Sequence, residues 1–249
     1  MNRRQLLEKA GKYLVLSGAA RAALQAMDGK AAPDAGKYNS AAHWWGMTID
    51  IAKCIGCGNC VRACSQENGV PHGYFRTWVE RYSVHDELDG PPRVDSPNGG
   101  MDSFPILNDA QGDKSFFVPK LCNHCADSPC VQACPVGATF VSPDGVVLVD
   151  RKYCIGCRYC IQACPYGCRY LDPRENVVDK CSLCYHRITK GLTTACCEVC
   201  PTGARKLADF KDPNDPVHEF LRENQVAVLK PHLATHSKVF YRDLDGAVK

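Results

Sequence analysis

Eighteen of the 249 residues are cysteines, and sixteen of them fall into four groups with closely similar spacing. Group one is Cys54-x2-Cys57-x2-Cys60-x3-Cys64, group two is Cys122-x2-Cys125-x4-Cys130-x3-Cys134, group three is Cys154-x2-Cys157-x2-Cys160-x3-Cys164, and group four is Cys181-x2-Cys184-x11-Cys196-x3-Cys200. Cysteines three residues apart in a tight loop can present thiolates to neighbouring iron corners of a cubane. The spacing therefore predicts ligands for four 4Fe–4S clusters.

The last two cysteines of each group predict a crossover between clusters. The third cysteine begins a short helix, and the fourth lies four residues further along the chain. That separation allows the fourth thiolate to bind the partner cluster of a two-cluster module. Proline follows the fourth cysteine in groups two to four and predicts the end of each helix, whereas Ser65 follows it in group one.

Two other kinds of cysteine framework are weaker explanations. Structural zinc uses paired Cys-x2-Cys knuckles, but it has no use for a third and a fourth cysteine at these spacings. A disulfide framework is typical of small secreted domains and not of four regularly spaced groups in a chain of 249 residues.

Cys168 and Cys197 remain outside the four groups. We interpret Cys168 as a small buried apolar residue, and the x3 spacing selects Cys196 as the ligand, with Cys197 as the alternative.

Repeated segments around the cysteines predict the fold. The segment 47–57 is echoed at 147–157, and Cys-Pro-x-Gly occurs at 134, 164 and 200. Each unit predicts a short strand, a cysteine loop, a short helix and a further strand. The expected fold class is α+β, with two bicluster ferredoxin-like modules in tandem, an inserted loop or hairpin region and a C-terminal tail.

Composition excludes several classes of protein. The formal charge is only +3, so a strongly basic nucleic-acid surface is absent from the sequence pattern. A 4Fe–4S cluster with four thiolates carries about −2, which would make the loaded chain about −5. The sequence contains no run of eighteen apolar residues that would predict a membrane-spanning helix.

The N-terminal segment 1–32 resembles a twin-arginine export signal. Arg3 and Arg4 precede a moderately apolar run from Tyr13 to Ala26, which Arg21 interrupts, and small residues follow. This pattern predicts export to the periplasmic side of the cytoplasmic membrane. The alternative is an uncleaved N-terminal helix on a protein of the cytoplasmic side.

The cysteine groups, with x4 in group two and x11 in group four, resemble the iron–sulfur subunits of the dimethyl sulfoxide reductase and polysulfide reductase class. Supporting segments are 45–50, Cys122-Asn123-His124-Cys125 and Cys164-Pro165-Tyr166-Gly167, and the resemblance extends over about residues 44–242. It implies that group one shares its module with group four, and group two with group three. The implied four-cysteine sets are Cys54, Cys57, Cys60 and Cys200; Cys64, Cys181, Cys184 and Cys196; Cys122, Cys125, Cys130 and Cys164; and Cys134, Cys154, Cys157 and Cys160.

The resemblance also gives domain boundaries. Module A comprises 44–70 with 173–210, module B comprises 115–172, the insertion comprises 71–114, and the C-terminal tail of 211–249 serves packing or partner contact. We expect the interruption of the cysteine series at 71–121, with a strand near 75–84 and a loop at 89–112, to be a surface excursion. In the tail, the pattern predicts an amphipathic segment near 217–221 and a strand at 238–241.

The implied function is a non-catalytic electron relay. Its partners would be a molybdopterin-type catalytic subunit and a quinone-reactive integral membrane subunit, through which the chain would associate peripherally with the membrane. The eight histidines are scattered and form no catalytic constellation. Four basic residues near the cysteines are interpreted as solvated surface charges, with a role in raising cluster potentials as the alternative: Arg62, Arg158, Arg169 and Lys180. The alternative function is a free-standing soluble polyferredoxin that carries electrons by diffusion.

Overall fold

Short strands separate the cysteine groups along the chain. The computed structural model describes residues 38–84, 91–106 and 114–248, so the predicted export segment 1–32 lies outside the described residues. The contacts within the chain define two compact units, Met1–Tyr38 and Asn39–Lys249. Every element described below belongs to the second unit. No helix within the described ranges has the length and apolar character needed to cross a bilayer.

Helices and strands both contribute to the fold, as the α+β prediction requires. The strands are β1 (Trp45–Asp50), β2 (Thr77–Val84), β3 (Arg93–Asp95), β4 (Lys114–Leu121), β5 (Thr139–Val141), β6 (Val147–Val149), β7 (Arg169–Leu171), β8 (Val178–Lys180), β9 (Arg205–Asp209), β10 (Val226–Ala227) and β11 (Val239–Arg242). The α-helices are α1 (Asn59–Asn68), α2 (Pro129–Gln132), α3 (Tyr159–Gln162), α4 (Tyr185–Ile188), α5 (Ala195–Glu198) and α6 (Val217–Glu223). Single 3₁₀ turns lie at Ser40–Ala42, Ile51–Lys53, Pro97–Gly100 and Pro231–Leu233.

The strand pairing closes the four cysteine groups into a ring. The strand that follows each group pairs antiparallel with the strand that precedes the next group: β2 with β4, β5 with β6, and β7 with β8. The ring closes where β9, after group four, pairs antiparallel with β1, before group one. Each cysteine loop is thereby held at both ends by hydrogen-bonded strands.

The helices end where the sequence pattern predicts. Helices α2, α3 and α5 each contain four residues and end before the Cys-Pro pair. In group one no proline follows the fourth cysteine, so α1 continues through Cys64 for a total of ten residues. It ends at Gly69, whose left-handed backbone (φ 57°) lets its N–H bond the Ser65 carbonyl.

The hairpin of β2 and β4 corrects the expectation of a surface excursion at 71–121. Val79 of β2 and Val118 of β4 are fully buried, and they join the same apolar core as Met47 and Ile49 of β1. Both faces of β2 are covered, since Val79 and Tyr82 point to opposite sides of the strand and both belong to this core. Part of the predicted loop, Arg93–Asp95, forms β3 on the outer edge of β2.

The C-terminal tail packs on module A as a strand. β11 runs parallel to β1, with Met47 opposite Val239 and Ile49 opposite Tyr241, in a sheet of order β10-β11-β1-β9. The tail also reaches module B, because the Lys238 N–H donates to the Asn123 carbonyl over 3.0 Å. The predicted tail strand and amphipathic segment therefore correspond to β11 and α6.

Candidate metal centres

The first candidate centre, site 1, gathers thiols from the two ends of the ring. Cys54, Cys57, Cys60 and Cys200 line one cavity. The first three come from the loop between β1 and α1, and Cys200 comes from the turn before β9. The β1–β9 pairing brings these segments together although about 140 residues separate them.

Site 2 is the second centre of module A. Cys64, Cys181, Cys184 and Cys196 line one cavity, and all four are buried. Helices α1 and α5 pack together and carry Cys64 and Cys196 to the same cavity. Cys196 lines this cavity and its neighbour Cys197 does not, in agreement with the x3 spacing.

Sites 3 and 4 form module B. At site 3, the Cys125 thiol interacts electrostatically with Cys122, Cys130 and Cys164, so the four thiols are close neighbours. At site 4, Cys134 interacts with Cys160, and Cys154 packs in the same apolar cluster as Cys160. Cys157 lies exposed on the same loop, between Cys154 and Cys160.

The four sites follow one another in a fixed order. Cys60 of site 1 interacts with Cys196 of site 2, and Cys181 of site 2 interacts with Cys122 of site 3. Cys130 of site 3 and Cys160 of site 4 share one cluster of buried residues. Among the sixteen thiols only those of Cys57, in site 1, and Cys157, in site 4, belong to exposed residues. The inner sites are shielded by protein and the outer sites reach the surface.

The loops share a backbone feature that the sequence showed only in part. The residue two positions after the first cysteine is left-handed in every group: Gly56 (φ 68°), His124 (φ 44°), Gly156 (φ 68°) and Leu183 (φ 51°). Glycine adopts this conformation freely, whereas in His124 and Leu183 it costs roughly 1–2 kcal/mol. The turn directs backbone N–H groups toward sulfur, as when Leu183 donates to Cys181 Sγ over 3.4 Å.

A side-chain network also contacts sulfur at site 2. Asn68 Nδ2 lies 3.5 Å from Cys64 Sγ and 3.8 Å from Cys184 Sγ. Arg76 donates to Asn68 Oδ1 over 2.9 Å and forms a bidentate pair with Asp179, with both N···O distances 2.9 Å. The ion pair fixes the orientation of the amide, so that its N–H₂ group faces the two sulfurs.

Two of the four basic residues interpreted as surface charges are buried. Arg62 and Arg158 are exposed as expected, but Arg169 and Lys180 are only 5% and 3% exposed. A third buried cation, Arg205, lines site 1 and received no role from the sequence. The signal that could have found it is its position, five residues after Cys200, which matches that of Arg169 after Cys164.

Burial also sets the protonation of the thiols and of His124. It raises the pKa of Cys54 and of Cys125 to about 11 and that of Cys181 to about 12, so these groups are protonated until a cation binds them. Burial, with the charge of Lys180, lowers the pKa of His124 well below its usual range. The neutral imidazole accepts the Val147 N–H at Nδ1 over 3.1 Å and so has a structural role.

The two cysteines outside the groups lie beside group members. Cys168 is buried, and its Sγ lies 3.0 Å from the Leu121 carbonyl oxygen. A hydrogen bond from Cys168 lowers the pKa of Cys164 to about 5, and one from Cys197 lowers that of Cys196 to about 5. Cys168 is therefore a polar neighbour of site 3, where the sequence suggested only an apolar filler.

The donor sets fit 4Fe–4S clusters. Sites 1 and 2 are each lined by four thiols and by no carboxylate. Across the described ranges, no three His, Cys, Asp or Glu side chains converge as they would around one metal ion. All eighteen cysteines, each within those ranges, are free of disulfide bonds. A bound cluster of this kind supplies one-electron redox chemistry.

Comparison with known proteins agrees with this chemistry. Two family models, each described as a 4Fe–4S dicluster domain, match residues 53–138 and 114–210. The chain is 38% identical over 207 residues to a subunit of the tetrathionate reductase of Salmonella typhimurium, covering 82% of this chain and 74% of that protein. It is 42% identical over 198 residues to the corresponding tetrathionate reductase subunit of Archaeoglobus fulgidus (80% and 81% covered). It is 32% identical over 244 residues to the arsenate respiratory reductase iron–sulfur subunit of a Shewanella species (79% and 94% covered).

Proposed function

The chain belongs to the family of iron–sulfur electron-transfer subunits of respiratory reductase complexes, and from this premise we propose that it carries four 4Fe–4S clusters, one at each of sites 1 to 4. The sixteen group cysteines are the proposed ligands, in the sets that define the four sites. The observation that carries the proposal is the gathering of four thiols from distant segments around one cavity, twice in module A.

We propose that single electrons enter at one outer site and leave at the other. The shielding of sites 2 and 3 favours this route, since only the outer sites place a cysteine at the surface. Exposed apolar side chains surround these two cysteines: Ile55 at site 1, and Tyr153, Ile155 and Tyr159 at site 4. Such surfaces suit contact with partner proteins at both ends of the series.

The proposed partners are a molybdopterin-type catalytic subunit and a quinone-reactive membrane subunit. The relatives, named as subunits of tetrathionate and arsenate reductases, support an assembly with a catalytic subunit. We further propose that the chain is exported and works on the periplasmic side of the cytoplasmic membrane, on the basis of the Arg3-Arg4 segment. Cell fractionation of the natural chain and of a variant with both arginines changed to lysine tests this location.

Iron analysis tests the cluster assignment. Anaerobically purified protein should contain about sixteen irons and as many acid-labile sulfides per chain. After reduction with dithionite it should give paramagnetic resonance signals of interacting 4Fe–4S clusters. A content near four irons per chain, or a colourless protein that contains zinc, would refute the proposal.

Size-exclusion chromatography of native extract separates the relay from a diffusing ferredoxin. A relay subunit should migrate with a large complex whose other subunits can be identified by mass spectrometry. Migration of the natural chain near its own mass of 27.4 kDa, with all clusters present, would favour the soluble carrier instead.

A further inference from the structure

We infer that Arg205 and Arg169 are a matched pair of buried charges, one in each module, that raise the reduction potentials of the two clusters beside each of them. The inference rests on the proposed four-cluster function. It assigns to these residues a tuning role that neither cysteine spacing nor family membership specifies.

The two arginines occupy equivalent positions. Arg205 is the first residue of β9 and Arg169 is the first residue of β7, each five residues after the last cysteine of its group. Arg205 donates to Thr77 Oγ1 over 2.8 Å, and Arg169 donates to Thr139 Oγ1 over 3.3 Å. Thr77 and Thr139 are themselves the first residues of β2 and β5, so both arginines take part in the same Arg–Thr arrangement.

Neither guanidinium has a carboxylate partner in the described part of the chain. Arg205 is 2% exposed, and its Nε and Nη2 atoms make no hydrogen bond to the described residues. Arg169 is similarly buried, with Nε unbonded. In contrast, the part-buried Arg76 pairs with Asp179. Because an isolated buried charge is strongly unfavourable, Arg205 and Arg169 require negative charge from another source.

The thiols of two sites lie beside each arginine. Arg205 lines site 1 and interacts electrostatically with Cys60 of site 1 and Cys196 of site 2. Arg169 donates to Cys130 Sγ of site 3 over 2.9 Å and interacts with Cys160 of site 4. Each guanidinium therefore lies between the two candidate cluster sites of its own module.

A positive charge in this position favours the reduced state of a cluster. A 4Fe–4S centre with four thiolates is negative, and reduction adds one more negative charge. The low dielectric of a protein interior strengthens the attraction, and N–H donation to sulfur acts in the same direction. Removal of one arginine should thus lower two potentials and leave the other module nearly unchanged.

The test is a redox titration of the full-length holoprotein, followed by paramagnetic resonance. Arg205→Gln should shift the potentials of the site 1 and site 2 clusters downward, and Arg169→Gln those of the site 3 and site 4 clusters. The controls are Arg62→Gln and Arg158→Gln, which remove exposed charges near groups one and three and should leave all four potentials in place. Equal shifts in both modules, or no shift with full iron content, would overturn the inference.

Lysine variants serve as the control if a glutamine variant loses its clusters. Arg205→Lys and Arg169→Lys keep the positive charge while they change the shape of the side chain. Cluster assembly in the lysine variant but not in the glutamine variant supports the need for charge, and failure of both shows a packing role and refutes tuning. If the natural chain itself lacks four clusters, the proposed function fails before the arginines are tested.

Discussion

Modules A and B have the same cysteine pattern on different supporting strands. Module A joins segments far apart in sequence through β1, β9 and β11, and its sheet belongs to a large apolar core that includes Ile49 and Tyr241. Module B is contiguous, and its β5–β6 hairpin and the pairing of its β7 with β8 of module A involve strands of only three residues each. A second, small cluster of buried residues consists of Cys130, Val147 and Cys160 of module B with Val178, and two of these are proposed ligands, while Val146 and Cys168 of module B belong to the large core.

The difference indicates that the two modules depend unequally on bound metal. The strands β1, β9 and β11 contribute residues to or pack against the large apolar core, whereas the part of module B around site 4 packs on a small cluster that contains two of the thiols. Metal binding by a site that is not otherwise stable contributes directly to the free energy of folding. Module B should therefore lose its structure more readily when iron is removed.

Iron removal is expected to produce the largest effect. After anaerobic chelation, hydrogen exchange measured by mass spectrometry should show lost protection across 129–180 first. Protection should persist longer in β1, β2 and β4, because these strands share the large apolar core. Uniform loss of protection across both modules would contradict the proposed difference.

A pair of neighbouring cysteines tests the ligand assignment in module A. Cys196→Ser should remove or convert the site 2 cluster, because Cys196 lines that cavity, and should reduce the iron content accordingly. Cys197→Ser serves as the matched control and should retain all four clusters. The reverse result would show that the two cysteines exchange roles.

A core substitution should affect module A more than an edge substitution affects module B. Ile49→Ala removes a fully buried side chain from β1 and should lower the free energy of unfolding by about 2–5 kcal/mol. Phe140→Ala in β5 changes a side chain that is 39% exposed and should cost about 1 kcal/mol or less. Denaturant unfolding of the holoprotein, followed by cluster absorbance, measures both. Equal costs would remove the distinction in packing between the modules.

The smallest expected effect concerns the amide beside site 2. Asn68→Ala removes the N–H₂ group near Cys64 Sγ and Cys184 Sγ, and it should lower the potential of the site 2 cluster alone. Asn68→Gln keeps an amide but displaces it, and it should give a shift of the same sign. A redox titration in which site 2 keeps its natural potential in both variants would exclude this contribution.

The sequence by itself determined the cluster chemistry and the local structure of each unit. Cysteine spacing acts within a few residues, and proline ends a helix wherever it follows one, so the loops and the helices that end before Cys-Pro could be predicted. The third cysteine of each group does lie in a helix, and the longer α1 agrees with the absence of proline at Ser65. The strand at the C-terminus was also visible in the pattern of 238–241.

Only the tertiary structure decided which side chains are buried, in which order the four sites follow one another and which charges lie beside them. Whether Arg169 is solvated or enclosed depends on segments that meet only when the ring of strands closes, and the same is true of Val79 in the hairpin expected at the surface. His124 and Leu183 adopt left-handed backbone without glycine, because surrounding contacts offset the local cost. The sequence specifies which atoms can bind iron, and long-range pairing determines which charges surround them.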